Sequence, residues 1–290
     1  MTLIETILSV GFVAQALRVT VPYALAALGG TLAERAGVVS LALEGMLLFG
    51  AFTATLGSAL GGPALGALCG IVGGLLVAAV YELIVVRWRA DQVVCAIAIN
   101  LLVLGLTRTL LVLVWGSASS SPRVPGLGST GTWAFVAAAA VLALALSELV
   151  RRTPWGLRLR AAGERPDALA SLGVDVERVR WGAVLASGAL AGLGGAWLAL
   201  DVGGFSDAMT GGRGYIALAA VVSGKWRPLG ATAACLLFGV AGALELNLQA
   251  EDTSLPRELV QMLPYVVTLL AVSSVARGAR APSALGQPLG

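Results

Sequence analysis

Histidine is absent from the whole 290-residue chain. That removes the commonest metal ligand and the usual general base near neutral pH. Charge is also scarce: Asp, Glu, Lys and Arg make up 12% of the residues, about half the share of a soluble domain. So few charges cannot cover a water-soluble fold. The three cysteines, Cys69, Cys95 and Cys235, lie inside apolar stretches without metal-ligand spacing and read as small core residues. No phosphate-binding loop occurs. Ser223-Gly224-Lys225-Trp226 holds a Gly-Lys pair, but Trp follows it and Ala219 stands where the first glycine of the pattern belongs. A G-x-S-x-G elbow and an H-E-x-x-H zinc motif are missing too. No catalytic residues, metal site or nucleic-acid polymer partner are therefore expected, and the chain itself is not expected to be an enzyme.

What remains is grease. Hydrophobic residues make up 58% of the chain, mean hydropathy is +0.89, and several runs approach the roughly 18–20 apolar residues that cross a bilayer. The ten-residue alternation of a membrane β-barrel is absent. The predicted fold is all-α, a polytopic transmembrane helical bundle of about 8–10 membrane segments that include broken or re-entrant helices. Residues 1–276 form a single transmembrane domain, and 277–290 are expected to be a disordered tail. The start, MTLIETILSV, carries Glu5 and no basic region, so it is expected to be retained rather than cleaved as a signal peptide.

In chain order, a first segment over about 6–28 contains Gln15 and Arg18, so one of its sides should face protein or water. A break is expected at Gly29-Gly30, followed by interfacial Glu34 and Arg35 and a helix from about 38–41 to 60. Gly62, Gly66, Gly70 and Gly74 then recur every four residues and put a smooth stripe on one face of segment three, suited to close helix contact. Segment four, about 92–115, holds Asn100 and Arg108. The Gly/Ser/Pro-rich stretch 116–131 reads as loop, and 132–150 as segment five. Segment six, from 181 to about 200, carries small residues at Gly188, Gly192 and Ala196. The apolar run 215–222 is too short to span a bilayer at 1.5 Å per residue and reads as a half-helix or re-entrant piece. Segments over about 229–248 and 259–275 follow. Glu245, Asn247 and Gln249 are expected at the interface.

One long polar stretch interrupts this pattern. Residues 151–180 carry seven arginines: Arg151, Arg152, Arg158, Arg160, Arg165, Arg178 and Arg180. With this loop in the cytoplasm, the inside also holds Arg35, Arg87, Arg89, Lys225, Arg227, Arg277 and Arg280, fourteen of the 19 basic residues. The outside holds Arg123, Arg213 and Arg257. The positive-inside rule selects this orientation, with a cytoplasmic C-terminus. Within the loop, Pro166 suits a first helical turn, Asp167 complements its positive end and Gly173 suits its stop. A short helix over 166–172 between arginine-rich arms reads as a docking element for a cytoplasmic partner; the plainer reading is a solvated linker.

Four ordered stretches resemble permeases of ATP-binding-cassette importers of the nucleoside and simple-sugar branch, in the branched-chain amino acid and ribose permease superfamily. GLRLRAAGERPDALASLGV resembles the coupling loop that sits in a groove of the ATPase. TLAERAGVVSLALEGMLLFGAF resembles the early AER…GV-VNIGLEGMM signature, with Ser40 in place of the asparagine and Ala42 in place of a glycine. RADQVVCAIAINLLVLGLT and GGRGYIALAAVVSGKWRPLG resemble the next and the late signatures. The resemblance covers about residues 20–275. It implies an importer permease of the bacterial cytoplasmic (inner) membrane, most simply for nucleosides, with simple sugars or branched-chain amino acids as alternatives. It further implies a separate ATPase of two fused cassettes that binds the ATP and Mg, a second paralogous permease, and an extracytoplasmic substrate-binding lipoprotein. Gly163, Glu164, Arg165, Pro166, Asp167, Ala168, Ser171, Leu172 and Gly173 would contact the ATPase.

A charge at mid-membrane costs about 2.5–3.5 kcal/mol on insertion scales, so deep polar groups should face a cavity or a partner. Glu44 lies in the LEG motif and is either a pathway residue or a cap on a broken helix. Asn100 either hydrogen-bonds substrate or joins helices. Arg108 is expected in a structural ion pair. Asp201, Phe205, Met209, Arg213 and Tyr215 gather near the half-helix, where aromatic, sulfur and polar groups could stack on and bond a nucleoside, or form a belt against the binding protein. Broken helices in matching parts of two halves often mark transport sites; the candidate pair is 35–45 and 211–224. A secondary transporter would need a relay of intramembrane carboxylates or histidines. With no histidine and Glu44 the one deep acid expected, proton coupling is disfavoured. A channel or scaffold without turnover is the remaining alternative.

Overall fold

The computed structural model describes residues 9–250, 256–275 and 280–287. Twelve helical segments are described. They are α1 (Val10–Arg35), α2 (Leu43–Gly61), α3 (Pro63–Glu82, extended by a π-helical turn Leu83–Arg87), α4 (Gln92–Trp115), α5 (Ser129–Arg152), α6 (Pro154–Glu164), α7 (Pro166–Ser171), α8 (Val176–Val202), α9 (Arg213–Ser223), α10 (Pro228–Ala250), α11 (Arg257–Gln261) and α12 (Leu263–Val275). Among the described residues seven helices are long and apolar enough to cross a membrane, and two shorter apolar stretches, Arg213–Ser223 and Leu259–Ser274, join them. That agrees with the expected count of segments.

The interior is built on small residues. A side-chain carbon added at Gly74 would strike the carbonyl of Gly188, and one at Gly192 the carbonyl of Gly70. One at Gly50 would lie 2.6 Å from the Cα of Gly192. α2, α3 and α8 therefore meet backbone to backbone, as the glycine stripe predicts. Lipid offers no hydrophobic drive between helices, so this close packing supplies the adhesion. α4 alternates differently: Ala96, Ile99, Asn100, Val103, Thr107 and Leu111 are buried at helical spacing, while Val94, Leu101, Leu102 and Leu113 are exposed. α4 and α5 thus turn broad apolar faces outward.

Connections sort into two ends. At the arginine-rich end, Arg35, Gly37, Gly163, Arg180 and residues 283–287 lie together. At the opposite end the non-helical stretch 116–128 runs beside 200–207: Ser121 N donates to the Phe205 carbonyl at 2.8 Å, Val124 N to Gly203 at 3.0 Å and Leu127 N to Leu200 at 2.9 Å.

Four expectations change. α1 runs unbroken through Gly29-Gly30; these glycines admit Ser187 and Leu43, and the break lies later, at 36–42. Glu34 and Glu82 are both buried within the protein while Glu44 is half-buried, so Glu44 is not the one acid that the bundle encloses. The first arginine-rich arm is itself helix α6, capped by Thr153, whose hydroxyl accepts from Gly156 N at 3.1 Å. Residues 280–287, placed in a disordered tail, are seated on the protein: Ala284 N donates to the Gly163 carbonyl at 2.8 Å and Gly286 N to that of Gly37 at 3.1 Å.

Candidate functional site: two helix breaks joined by a half-helix

Backbone that leaves the helix at membrane depth must find its hydrogen bonds within the protein. The 36–42 break does so with side chains. Gly37 adopts φ +93° and turns the chain. Val39 N then donates to Gln92 Oε1 at 2.7 Å, and the Val39 carbonyl accepts from the Tyr81 hydroxyl at 2.7 Å. The Leu41 carbonyl accepts from Asn100 Nδ2 at 2.9 Å, and Gly45 N donates to Asn100 Oδ1 at 2.9 Å. One asparagine, 8% exposed, thus fixes both sides of the start of α2.

The second break, 203–212, closes through Ala208, Gly211 and Gly212, all at positive φ. It ends on α9, whose first amides lack intrahelical partners. Glu44 supplies them. Its Oε1 accepts from Gly212 N at 2.9 Å and from the Thr210 hydroxyl at 2.6 Å; its Oε2 accepts from Gly214 N at 2.7 Å. A carboxylate also suits the positive end of the helix dipole. At the far end of α9, Trp226 Nε1 donates to Glu34 Oε2 at 2.6 Å, and Arg35 Nε to the Trp226 carbonyl at 2.6 Å. Both ends of α9 are therefore held by residues flanking the other break; of the expected pair of broken stretches, 35–45 contains a break, whereas most of 211–224 is the continuous helix α9.

Two cavities open around this junction and share Gly211 in their walls. One, about 200 Å³, is lined by Glu44, Asn100, Thr210 and Tyr215 among others; Asn100 Nδ2 donates to the Tyr215 hydroxyl at 3.1 Å. The other, about 250 Å³, is lined by Tyr23, Arg213, Ile216, Glu245, Gln261 and Tyr265. A third, about 520 Å³, lies toward the start of α1, where Arg18 and Asp201 pair at 2.6 Å.

Of the seven pathway residues expected, Glu44, Asn100 and Tyr215 come together. Arg213 lines the adjacent cavity, its Nη1 held by the Met209 and Thr210 carbonyls at 2.8 and 3.1 Å. Asp201 pairs with Arg18 in the cavity of about 520 Å³, whose wall Arg213 also joins. Met209 packs its side chain on the core. Phe205 is a correction: it is 2% exposed and edge-on to Phe52 at 5.4 Å, so its ring faces are taken by the core and cannot stack on a substrate. Arg108 pairs with Asp207 at 3.5 Å. Asn247, expected at the interface, donates to Gln15 Oε1 at 2.8 Å and ties α10 to α1. Sequence reasoning missed Glu34, Tyr81 and Gln92 as wardens of the break, and Tyr23, Gln261 and Tyr265 as cavity lining. The available signal was the one applied to Glu44: a polar group inside or beside an apolar run.

The 163–173 stretch is half anchored and half presented. Leu169 is buried among Leu32, Leu159, Val176 and Val179. Gly163 has no room for a side chain against the Arg35 carbonyl, and Glu164 accepts from the Ser283 hydroxyl at 2.7 Å through Oε2. Arg165, Asp167, Ala168, Ser171 and Gly173 are exposed, Pro166 is half-buried, and Leu172 is 79% exposed. Gly173, at φ +77°, ends the helix as expected. Among the described residues no group of three or more Cys, Asp or Glu could hold a metal ion.

A bundle of membrane-length helices with two breaks meeting at polar clefts defines a transport permease. The chain matches the family described as "Branched-chain amino acid transport system / permease component" over residues 12–272 and belongs to it. It is 36% identical to the guanosine ABC transporter permease protein NupQ of Bacillus subtilis (strain 168), covering 92% of each chain. It is 33% identical to the nucleoside ABC transporter permease protein NupC of Lactococcus lactis subsp. cremoris (strain MG1363), over 94% of this chain and 95% of that one. It is also 27% identical to NupP, a second guanosine permease of the same Bacillus strain, over 91% and 82%.

Proposed function

We propose that the chain is the membrane permease subunit of an ATP-driven nucleoside importer. The observation that carries this reading is its similarity, nearly end to end, to permeases named for guanosine and nucleosides. The paired cavities at Gly211 would be part of the path, with Glu44 as the anchor that holds α9 and Asn100 and Tyr215 facing the solute.

The arginine-rich end would face the cytoplasm by the positive-inside rule, in the bacterial inner membrane, with residues 151–180 and the C-terminus on that side. There a separate ATPase, expected as two fused cassettes that bind ATP and Mg, would receive α7 through the exposed Leu172. A second, paralogous permease would complete the path. Support for it comes from similarity to two different permeases of one organism that carry the same transporter's name. An extracytoplasmic binding lipoprotein would deliver the solute. Cassette closure would shift α7. Gly163 and Glu164 would pass that shift to Gly37 and the 36–42 break, and Asn100 and Glu44 would pass it on to the start of α9. A ligand moves such an equilibrium only through different contacts in the two states; the Glu44–α9 bonds are the contacts proposed to differ.

The test is uptake of radiolabelled guanosine and uridine in cells with and without this chain, alongside co-purification. The reading requires a cassette ATPase and a paralogous permease to co-purify, and uptake to be lost with the chain. A chain that stands alone, or uptake that persists without it, overturns the reading.

A further inference from the structure

Arg213 and Glu245 line the same cavity of about 250 Å³, together with Tyr23, Gln261 and Tyr265. The two opposite charges are not ion-paired with each other. Each is held from behind. Arg213 commits Nη1 to the carbonyls of Met209 and Thr210, which leaves three of its five N–H donors. Glu245 commits Oε1 to Gln249 Nε2 at 2.9 Å, which leaves Oε2 without a hydrogen-bond partner among the described residues. Charges on membrane-length helices are expected to face a polar cavity or one another, and these two face one cavity without a direct salt bridge between them. Tyr265, 57% exposed as a residue, lines the cavity, its hydroxyl 3.5 Å from the Gly211 carbonyl.

We propose that this cavity is the base-recognition subsite of the permease and that it selects guanine-type purines. This rests on the nucleoside reading above. A carboxylate accepts and cannot donate, so it calls for a ligand edge with adjacent N–H donors. A guanidinium donates only, so it calls for adjacent acceptors. Among the common bases guanine alone offers both, N1–H with N2–H₂ for Glu245 and O6 with N7 for Arg213. Hypoxanthine keeps the acceptors and one N–H. Uracil presents a lone N–H between two carbonyls, and adenine puts a donor where the acceptor O6 would be. Tyr265 supplies a face for the ring. Glu245, which the sequence places at the interface with Asn247 and Gln249, is thus a specificity-determining residue.

The experiment measures initial uptake of guanosine, inosine and uridine by the complete importer in cells lacking other nucleoside carriers. It compares wild type, Glu245→Gln and Tyr265→Leu at matched surface amounts. The binding protein is common to all three, so a changed ratio belongs to the permease. Glu245→Gln is expected to lower guanosine uptake about tenfold relative to uridine and to bring guanosine close to inosine, as loss of a charge-assisted bond predicts. Tyr265→Leu, at an exposed position that tolerates change, is expected to lower both purines relative to uridine. If all three solutes fall in parallel in both variants, or none falls, the subsite is overturned while the importer reading stands. If the wild type takes up no nucleoside, the importer reading fails and the subsite with it.

Discussion

The amide of Gly214 donates to Oε2 of Glu44 across 2.7 Å, joining residues 170 positions apart. One carboxylate near the start of α2 thereby closes the open end of α9. A side-chain carbon on Gly214 would lie 2.5 Å from the Glu44 amide, so the two segments can approach this closely only because position 214 is glycine.

Removing that carboxylate strands the buried Gly214 amide, the half-buried Gly212 amide and the buried Thr210 hydroxyl. Glu44→Ala is expected to cost on the order of 1–3 kcal/mol for each buried donor left unpaired and to lower the melting temperature of the purified permease. Glu44→Gln keeps the shape and an acceptor, and should lie between Ala and wild type. Differential scanning fluorimetry in detergent ranks the three; Ala equal to wild type would show that the cap is dispensable.

The glycine seam gives a sharper contrast. Gly192→Leu puts a side chain into the carbonyl of Gly70 and is expected to abolish folded protein, whereas Gly105→Ala meets nothing within 4 Å on α4 and should be neutral. Fluorescence-detected size exclusion of the two variants reads the difference directly.

Docking on α7 is tested at Leu172, which is exposed and supports nothing behind it. Leu172→Asp should leave the permease folded and weaken co-purification of the ATPase. Gly173→Val forces a β-branched residue into φ +77°, with a strain of about 1–2 kcal/mol, and should uncouple ATP hydrolysis from uptake. Unchanged transport in both variants removes α7 from the coupling path.

The seated tail joins three elements. Arg180, 1% exposed, donates to the carbonyls of Ala36 and Gln287 at 3.1 Å each, and Ala284 and Ser283 bind Gly163 and Glu164. Ala284→Glu would place a charge in that buried seat and is expected to lower thermal stability and raise protease access at 163–166. Equal cleavage rates in the variant and wild type would show that the tail does not hold the loop.

Much of this was legible in the residues because lipid imposes strict rules. Gly66, Gly70 and Gly74 announced a seam by spacing alone. Residues 215–222 were too short to span and proved to belong to a half-helix. Asp167 and Gly173 bracketed α7. The misses share one cause: a residue type does not reveal its partner. Gly29-Gly30 read as a break because glycine permits both a turn and a close approach, and only the neighbouring Ser187 decides between them. Phe205 read as a stacking platform because Phe52, which covers it, is 153 positions away. The 280–287 seat combines backbone bonds to Gly37 and Gly163 with side-chain bonds from Arg180 and Ser283, whose partners lie more than 100 positions away in the chain.

The central claim is that this chain carries nucleosides on energy supplied by another chain. The most direct measurement is accumulation of radiolabelled guanosine in proteoliposomes that hold the permease pair and its ATPase, loaded with binding protein, with and without ATP. Accumulation that requires ATP and disappears with a hydrolysis-dead ATPase is the predicted result. Accumulation driven by an ion gradient without ATP, or none with an active ATPase, would contradict it.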